Sequence, residues 1–174
     1  MTSDFPVDLV YLWSSGSEKR FALRAQYKTD ETPQFTKARM RNNGELKYAL
    51  RSVERNLPWV RNIFFVIDDN EYPDWLDIKN PRVKLVNTSE IIDKKYMPVF
   101  NSNAIEQNIY KIPGLSEKFL MSCDDMFVLQ PLPKDYFFNR LGLPIYRTKK
   151  YIAAMGRAYS RHIVWVNNIM FYLI

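Results

Sequence analysis

Two adjacent aspartates stand inside an apolar stretch of this 174-residue sequence. In KFLMSCDDMFVLQPL (118–132), Asp124 and Asp125 separate two hydrophobic runs. Two carboxylates about 5 Å apart repel by roughly 3 kcal/mol at an effective dielectric near 20, or about two pKa units. A divalent cation would relieve that repulsion, and oxygen ligands suit Mg²⁺ or Mn²⁺. The pair is therefore either a metal-binding or catalytic site or an exposed turn between strands, and the local residues leave both open.

A second acidic pair, Asp68 and Asp69, closes the apolar run NIFFVIDDN (62–70). The residues that follow, in DDNEYPDW, are rich in turn formers, and their acids can simply face water. An exposed turn is the favoured interpretation of this pair.

The other candidate groups carry weaker signals. Lys47, Arg51 and Arg55 recur every four residues, which is typical of a solvated helix face, although Arg51 borders the apolar face and could reach a phosphate. The single histidine, His162, has no partner cluster nearby and is expected to be structural or on the surface. Cys123, beside the acid pair, is expected to act as a small buried hydrophobe and not as a nucleophile.

The elements that would position these groups alternate along the chain. Apolar, β-branched runs predict strands at 7–13, 62–70, around 83–87 and within 114–123. The i, i+3, i+4 spacing of leucine, alanine and valine over 43–59 predicts a helix that ends at Pro58. A shorter helix within 101–112 is expected to begin with Asn103 as its N-cap, with Glu106 completing a capping box. The basic residues 17–43 are expected to be irregular or weakly helical.

Short apolar strands that alternate with helices predict an α/β fold with a mostly parallel sheet covered on both faces. Parallel strands bring their carboxyl ends to one edge, where ligands of such sheets bind. Three strand ends therefore matter: residues 13–17, Asp68-Asp69 and Asp124-Asp125.

The composition is that of one globular domain over residues 1–174, large enough to bury roughly 70% of its unfolded surface. Hydrophobic residues make up 47% and aromatic residues 15%. The net charge of +6 is compatible with an anionic partner or with a merely basic surface. Since no run of five like charges occurs, a nucleic-acid partner is not expected.

The number of cysteines and the two ends of the sequence indicate in which compartment we expect the protein and whether an end could span a membrane. One cysteine excludes an internal disulfide, and the start MTSDFPVDLVYLW lacks the pattern of a signal peptide, so we expect a cytoplasmic protein. The apolar end IVWVNNIMFYLI is too short for a membrane span. Exposed apolar surface there would predict self-association or contact with a further partner segment.

Three blocks of this sequence resemble the central conserved region of the Stealth proteins. They are RNNGELKYALRSVERNLPWVRNIFFVID (41–68), PDWLDIKNPRVKLVNTSEII (73–92) and FNSNAIEQNIYKIPGLSEKFLMSCDDMF (100–127). VDLVYLWSSGSE (7–18) is similar to the family's short first region. The family includes bacterial capsular polysaccharide phosphotransferases and the lysosomal-enzyme N-acetylglucosamine phosphotransferase. The resemblance implies that residues 1–174 are the N-terminal part of a longer catalytic domain.

The resemblance also implies a Rossmann-like fold similar to nucleotide-sugar glycosyltransferases, and a reaction. Hexose- or hexosamine-1-phosphate would move from a nucleotide sugar, such as a UDP-hexosamine, to a glycan hydroxyl with the help of Mg²⁺ or Mn²⁺. By position, the implied metal-binding and catalytic residues are Asp124 and Asp125, and Arg51 would hold phosphate charge. The implied substrate-binding residues are Trp13, Gly16, Arg41, Glu45, Asn103 and Glu106.

A second function stays open beside this one. The chain could be a non-catalytic remnant or a module that binds a nucleotide or an anionic glycan through its basic residues without turning it over.

Overall fold

A computed structural model describes residues 5–27 and 42–147 of the chain. Within those residues, four strands form one sheet, and every neighbouring pair is parallel. The strands are β1 (Asp8–Leu12), β2 (Ile63–Ile67), β3 (Val83–Asn87) and β4 (Phe119–Ser122). Each lies inside a segment predicted to be a strand, so the predicted α/β fold with a parallel sheet is confirmed.

The connections contain the helices. They are α1 (Glu18–Tyr27), α2 (Glu45–Asn56), α3 (Thr88–Ile91) and α4 (Ser102–Glu106), with 3₁₀ turns at Lys94–Tyr96, Ile109–Lys111 and Lys134–Tyr136. Among the described helices, none is long and apolar enough to cross a membrane.

The strand order across the sheet is β3-β2-β1-β4. The chain moves outward from β1 to β3 and then returns to the other side of β1 to form β4. Neighbouring connections therefore diverge at the carboxyl ends of β1 and β4, and such a switch point opens a crevice in parallel α/β sheets.

Alternate residues of the strands face two separate hydrophobic clusters within the described part of the chain. One face carries Leu9, Tyr11 and Phe65, and packs against α2; the other carries Val10 and Phe64. Because β1 is covered on both faces, its three central residues are almost entirely shielded from water. This burial explains why the strand reads as a continuous apolar run.

Helix α2 forms as its periodicity predicts. It follows Gly44, whose φ of 82° suits glycine, and it ends one residue before Leu57 and two before Pro58. The buried residues Leu46, Ala49 and Val53 lie on the face toward the sheet.

The edge opposite the strand carboxyl ends is fixed by the fully buried Asp8. Its carboxylate accepts hydrogen bonds from Arg61 Nε at 2.9 Å, from the Asn62 backbone at 3.0 Å and from the Ser116 backbone at 2.7 Å. These contacts join the starts of β1 and β2 to the segment before β4. The strands are thus fixed relative to one another at their amino ends, which helps to hold the groups at their carboxyl ends in place.

Residues 18–27 form a regular helix within the segment that we expected to be irregular or weakly helical, because Ser17 caps the helix and Arg20 finds buried partners. One local prediction is wrong. The short helix α4 has Asn101 as its N-cap, since the Asn101 side chain accepts a hydrogen bond from the Asn103 backbone at 3.0 Å. Asn103 lies inside the helix and Glu106 ends it, so the predicted capping box is absent at this helix.

Candidate functional site

A cleft of about 280 Å³ lies at the carboxyl edge of the sheet. All four strand ends contribute to it, through Trp13, Asp68, Thr88 and Asp124 among others. The cleft therefore occupies the position at which the parallel topology predicts a ligand site. Its volume is near the lower end of the range for small-molecule pockets.

Two arginines of α1 form one wall of the cleft. Arg20 and Arg24 are each only 9% exposed, although arginine is usually a surface residue. Arg20 Nη2 donates to the Val99 carbonyl at 2.9 Å, and Arg24 Nη1 donates to the Phe100 carbonyl at 3.4 Å. Both guanidinium groups also lie over the Phe100 ring, at 4.7 and 5.8 Å from its centroid. The wall thus combines positive charge with an aromatic surface.

Arg20 forms an ion pair with Asp68 at 2.6 Å, and both side chains are about nine-tenths buried. Burial raises the pKa of Asp68, while the charge of Arg20 and the Thr88 hydroxyl oppose that rise. The Thr88 hydroxyl also lies at the end of β2, because it donates to the Ile67 carbonyl at 3.1 Å. Asp68 therefore belongs to the cleft wall and not to an exposed turn, so the favoured interpretation of this residue is wrong.

The acid pair Asp124-Asp125 begins two residues after the end of β4, with Cys123 between them, and is exposed. Burial of its surroundings raises the pKa of Asp124, and the charges of Asp125 and Glu45 raise it further. Glu45 stands in the first turn of α2, where it accepts hydrogen bonds at 2.8 Å from the backbone and side chain of Asn43. Three carboxylates thus produce negative potential at this end of the cleft, which disfavours ionised Asp124 and favours a cation.

The side chains of Cys123 and Tyr11, near the acid pair, are partly or fully buried. Burial, followed by the charges of Asp125, Glu106 and Asp124, raises the pKa of Cys123 to about 11. Burial also raises the pKa of Tyr11, whose ring stacks on Phe65, to about 12. Both groups stay neutral at physiological pH, so the ionised groups near this strand end are carboxylates.

Among the described residues, no group of three or more histidine, cysteine, aspartate or glutamate side chains is arranged to hold a metal ion. Mg²⁺ commonly uses one or two protein carboxylates and takes its other ligands from water and substrate phosphates. Asp124 and Asp125 fit that pattern, since they are adjacent and exposed, and Asp124 lines the cleft.

Comparison with known proteins identifies the family. The family model "Stealth protein CR2, conserved region 2" matches residues 39–146, which is more than half of the chain. The chain belongs to the Stealth family.

Curated Stealth relatives are similar over most of this chain. A capsular polysaccharide phosphotransferase of Neisseria meningitidis serogroup B is 42% identical over 150 residues, which cover 80% of this chain and 39% of the relative. The capsular polysaccharide phosphotransferase LcbA of Aeromonas hydrophila is 37% identical over 87% of this chain and 44% of its own length. The receptor polysaccharide phosphotransferase WefC of Streptococcus oralis is 39% identical over 82% of this chain and 44% of its own length. The chain spans about two fifths of the length of these relatives.

The structure brings several of the predicted Stealth site residues to the carboxyl edge of the sheet. Trp13 and Asp124 line the cleft, and Glu45 and Glu106 lie close enough for their charges to act on Asp124 and Cys123 respectively. Gly16 has a φ of 61° in the turn between β1 and α1, a conformation that suits glycine.

Two further predicted residues of the described part of the chain are not among those that line the cleft. Arg51 is exposed on α2 and lies over the ring of Tyr48, at 5.6 Å from its centroid. Asn103 is exposed in α4, where its neighbour Ser102 contacts the cleft. Arg41 lies outside the described residues, as do His162 and the apolar end for which we expected self-association.

The sequence interpretation missed Arg20, Arg24 and Phe100 as residues of the site. The two arginines are four residues apart and so share one face of α1, a spacing that was visible in the sequence. Phe100 comes directly before the NSNAIE block, but its position between two arginines depends on how α1 packs. That packing brings together residues that are far apart in the sequence, and local patterns carry no signal for it.

Proposed function

We propose that the cleft binds the nucleotide-sugar donor, such as a UDP-hexosamine, of a sugar-1-phosphate transferase. The acceptor is a glycan hydroxyl in the synthesis of capsular or other surface polysaccharide. One observation carries the proposal: Asp124, the first residue of the acid pair, and the buried arginines line the same cleft at the switch point of a parallel sheet. The phosphotransferase names of the Stealth relatives support the same reaction class.

The order of the strands suggests how the donor lies. Neighbouring strands are about 4.8 Å apart, so the ends of β2 and β4, with β1 between them, are separated by about 10 Å. That distance suits the nucleoside near Asp68 and Phe100, with the diphosphate reaching across β1 to Asp124. The sugar-bearing phosphorus would then lie beside the acid pair.

The reaction exchanges one phosphorus–oxygen bond for another. The acceptor oxygen attacks the phosphorus that carries the sugar, the bond to the nucleoside monophosphate breaks, and the hydroxyl proton passes to a carboxylate. Asp124, whose pKa is raised, is suited to accept that proton. Arg20 and Arg24, on the nucleoside side of the cleft, would add positive charge near the phosphate next to the nucleoside, because phosphoryl transfer depends mainly on positioning and electrostatic stabilisation.

A divalent cation, Mg²⁺ or Mn²⁺, is part of the proposal. Asp124 and Asp125 would hold it, and it would neutralise charge on the diphosphate and the leaving group. A cytoplasmic setting is also part of the proposal and rests on the use of a single cysteine.

A binding module without turnover is the second candidate function. Cys123, directly before the acid pair, favours it, because a neutral thiol adds no negative charge to help Asp124 and Asp125 hold a cation. The module would bind a nucleotide or an anionic glycan through the arginine wall alone.

Calorimetric titration of UDP-N-acetylglucosamine, with and without Mn²⁺, tests the proposal. We expect binding that Mn²⁺ strengthens about tenfold, and we expect Asp125→Asn to remove that gain because one oxygen ligand loses its charge. Asp74→Asn, an exposed aspartate in another loop, is the matched control and should leave the titration unchanged.

The outcome separates the two candidate functions. Binding that Mn²⁺ does not strengthen and that Asp125→Asn leaves unchanged would favour the binding module. Absence of binding under every condition would contradict both.

A further inference from the structure

The loop after β2 holds the beginning of α1. Glu71 accepts hydrogen bonds from the Ser15 hydroxyl and, at 3.1 Å, from the Ser17 hydroxyl. Both serines belong to the turn between β1 and α1. A single carboxylate therefore ties two neighbouring strand ends together at the edge that carries the cleft.

The same Ser17 hydroxyl caps α1. Its oxygen accepts a hydrogen bond from the Arg20 backbone at 3.2 Å, and the Ser17 carbonyl accepts from the Phe21 backbone at 2.9 Å. Because this hydroxyl donates to Glu71 and accepts from the third residue of the helix, Glu71 is connected to the first turn of α1.

Arg20, in that first turn, projects into the cleft wall. Its guanidinium joins Asp68 at 2.6 Å to the Val99 carbonyl at 2.9 Å. It therefore has fixed partners on two other segments, and a displacement of the helix start would break them. The nearby pair Lys19–Asp69 is mostly exposed and contributes little to this arrangement.

The loop that carries Glu71 is itself fixed to the end of β3. The preceding residues Asp69 and Asn70 have φ values of 51° and 60°, and form a tight turn. Asn70 is fixed to the end of β3, because its backbone donates to Asn87 Oδ1 at 3.0 Å and its side chain accepts from Asn87 Nδ2 at 2.7 Å. The loop is thus held to the end of β3, and through Glu71 it can orient the start of α1.

We infer that Glu71 is a positioning residue of the donor site: by holding Ser15 and Ser17 it fixes the first turn of α1 and with it the guanidinium of Arg20. The link to donor binding rests on the proposed function, whereas the link to α1 does not. A carboxylate suits this role because it is purely an acceptor, and two hydroxyl donors converge on it. Glutamine would replace one acceptor by a donor and so keep part of the arrangement.

Two measurements on the whole chain test the inference. Amide hydrogen exchange over residues 20–24 reports the position of α1 without any ligand. Titration of UDP, as the probe, into Glu71→Ala, Arg20→Ala and the double variant reports whether Glu71 acts through Arg20. Asp69→Asn is the matched control, since asparagine tolerates the same backbone conformation and the pair with Lys19 is exposed.

We expect Glu71→Ala to speed exchange in this segment about tenfold and to weaken UDP binding about tenfold. Asp69→Asn should change both by less than about twofold, and Glu71→Gln should lie between. In the Arg20→Ala background, Glu71→Ala should weaken UDP binding by less than about twofold, because the group that it positions is already gone.

Unchanged exchange in both Glu71 variants would overturn the inference, as would full additivity of the Glu71 and Arg20 effects on UDP binding. Failure of the unaltered protein to bind UDP would count against the proposed function alone. The exchange data would then still decide whether Glu71 fixes α1.

Discussion

The chemistry of this chain at the residue scale is set by unlike environments on two sides of one cleft. On the side of β2, the carboxylate of Asp68 is buried against Arg20. On the side of β4, Asp124 and Asp125 are exposed and have Glu45 as a further acidic neighbour. The negative charge of Asp68 is already neutralised by Arg20. The acidic neighbours of Asp124, in contrast, favour the binding of a cation or a proton there. In the proposed function, the side of β4 is therefore the place of the reacting phosphate and its metal ion.

The thiol of Cys123 is a direct probe of that acidic environment. Burial and the charges of Asp125, Glu106 and Asp124 raise its pKa to about 11, whereas an unperturbed cysteine has a pKa of about 8.5. Because the thiolate is the reactive form, alkylation by iodoacetamide at pH 8.5 should be about 100-fold slower than for a free cysteine. Initial rates should rise about tenfold per pH unit between pH 7 and 10 with no plateau.

The measurement is made in the presence of EDTA, so that no cation screens the carboxylates. Asp125→Asn, which removes one of the charges, should shift the rate profile to lower pH. A plateau that begins near pH 8.5 in the unaltered protein would contradict the proposed electrostatics.

At the scale of elements, the strands and α2 could be predicted from the sequence, because their burial produces a recognisable pattern of hydrophobic residues. Fully buried β1 reads as an unbroken apolar run, and α2 shows the periodicity of a helix with one buried face. Helix α1 gives no such signal, since its buried side chains are Arg20 and Arg24. The N-cap of α4 was misplaced because Asn101 and Asn103 are chemically the same residue, and only the backbone distinguishes them.

Part of the candidate site could be predicted from the sequence, and part of it could not. The acid pair was predictable, because its position at the end of an apolar strand fixes its place at the sheet edge. The Arg20–Asp68 pair was not, because it depends on packing between segments that are distant in the sequence.

Helix α2 packs against the sheet that carries the candidate site. Its contribution to the stability of the protein can be measured. Leu46 is 3% exposed and packs in the cluster that includes Tyr11 and Phe65. Leu46→Ala should lower the free energy of unfolding by roughly 2–5 kcal/mol, since the substitution removes buried surface and leaves a cavity. Urea denaturation monitored by circular dichroism measures this change.

Its neighbour Lys47 offers the matched control, because it is exposed on the same helix. Lys47→Ala should change the free energy of unfolding by less than about 0.5 kcal/mol. Equal effects of the two substitutions would show that α2 is not packed on the sheet as described.

The whole molecule combines a net charge of +6 with a small cleft that Arg20 and Arg24 line. Net charge alone would also fit a nucleic-acid partner, but the two cases differ in how binding responds to salt. A nucleotide sugar brings about two negative charges, so few counterions are displaced when it binds, whereas proteins that contact six to ten phosphates lose roughly 10³–10⁵ in affinity between 50 and 200 mM salt.

We therefore expect the affinity for UDP-N-acetylglucosamine to fall by no more than about tenfold over that range, because the arginine wall is buried and its field is screened only weakly. Calorimetry at 50 and 200 mM NaCl, at constant Mn²⁺, measures this dependence. A duplex DNA of mixed sequence is the comparison ligand, and its binding should be weak at 200 mM. A loss of 10³ or more for the nucleotide sugar would mean that diffuse surface charge, and not the cleft between Arg20 and Asp124, holds the ligand. Tight, salt-resistant binding of the DNA would contradict the assignment of this surface to a small anionic donor.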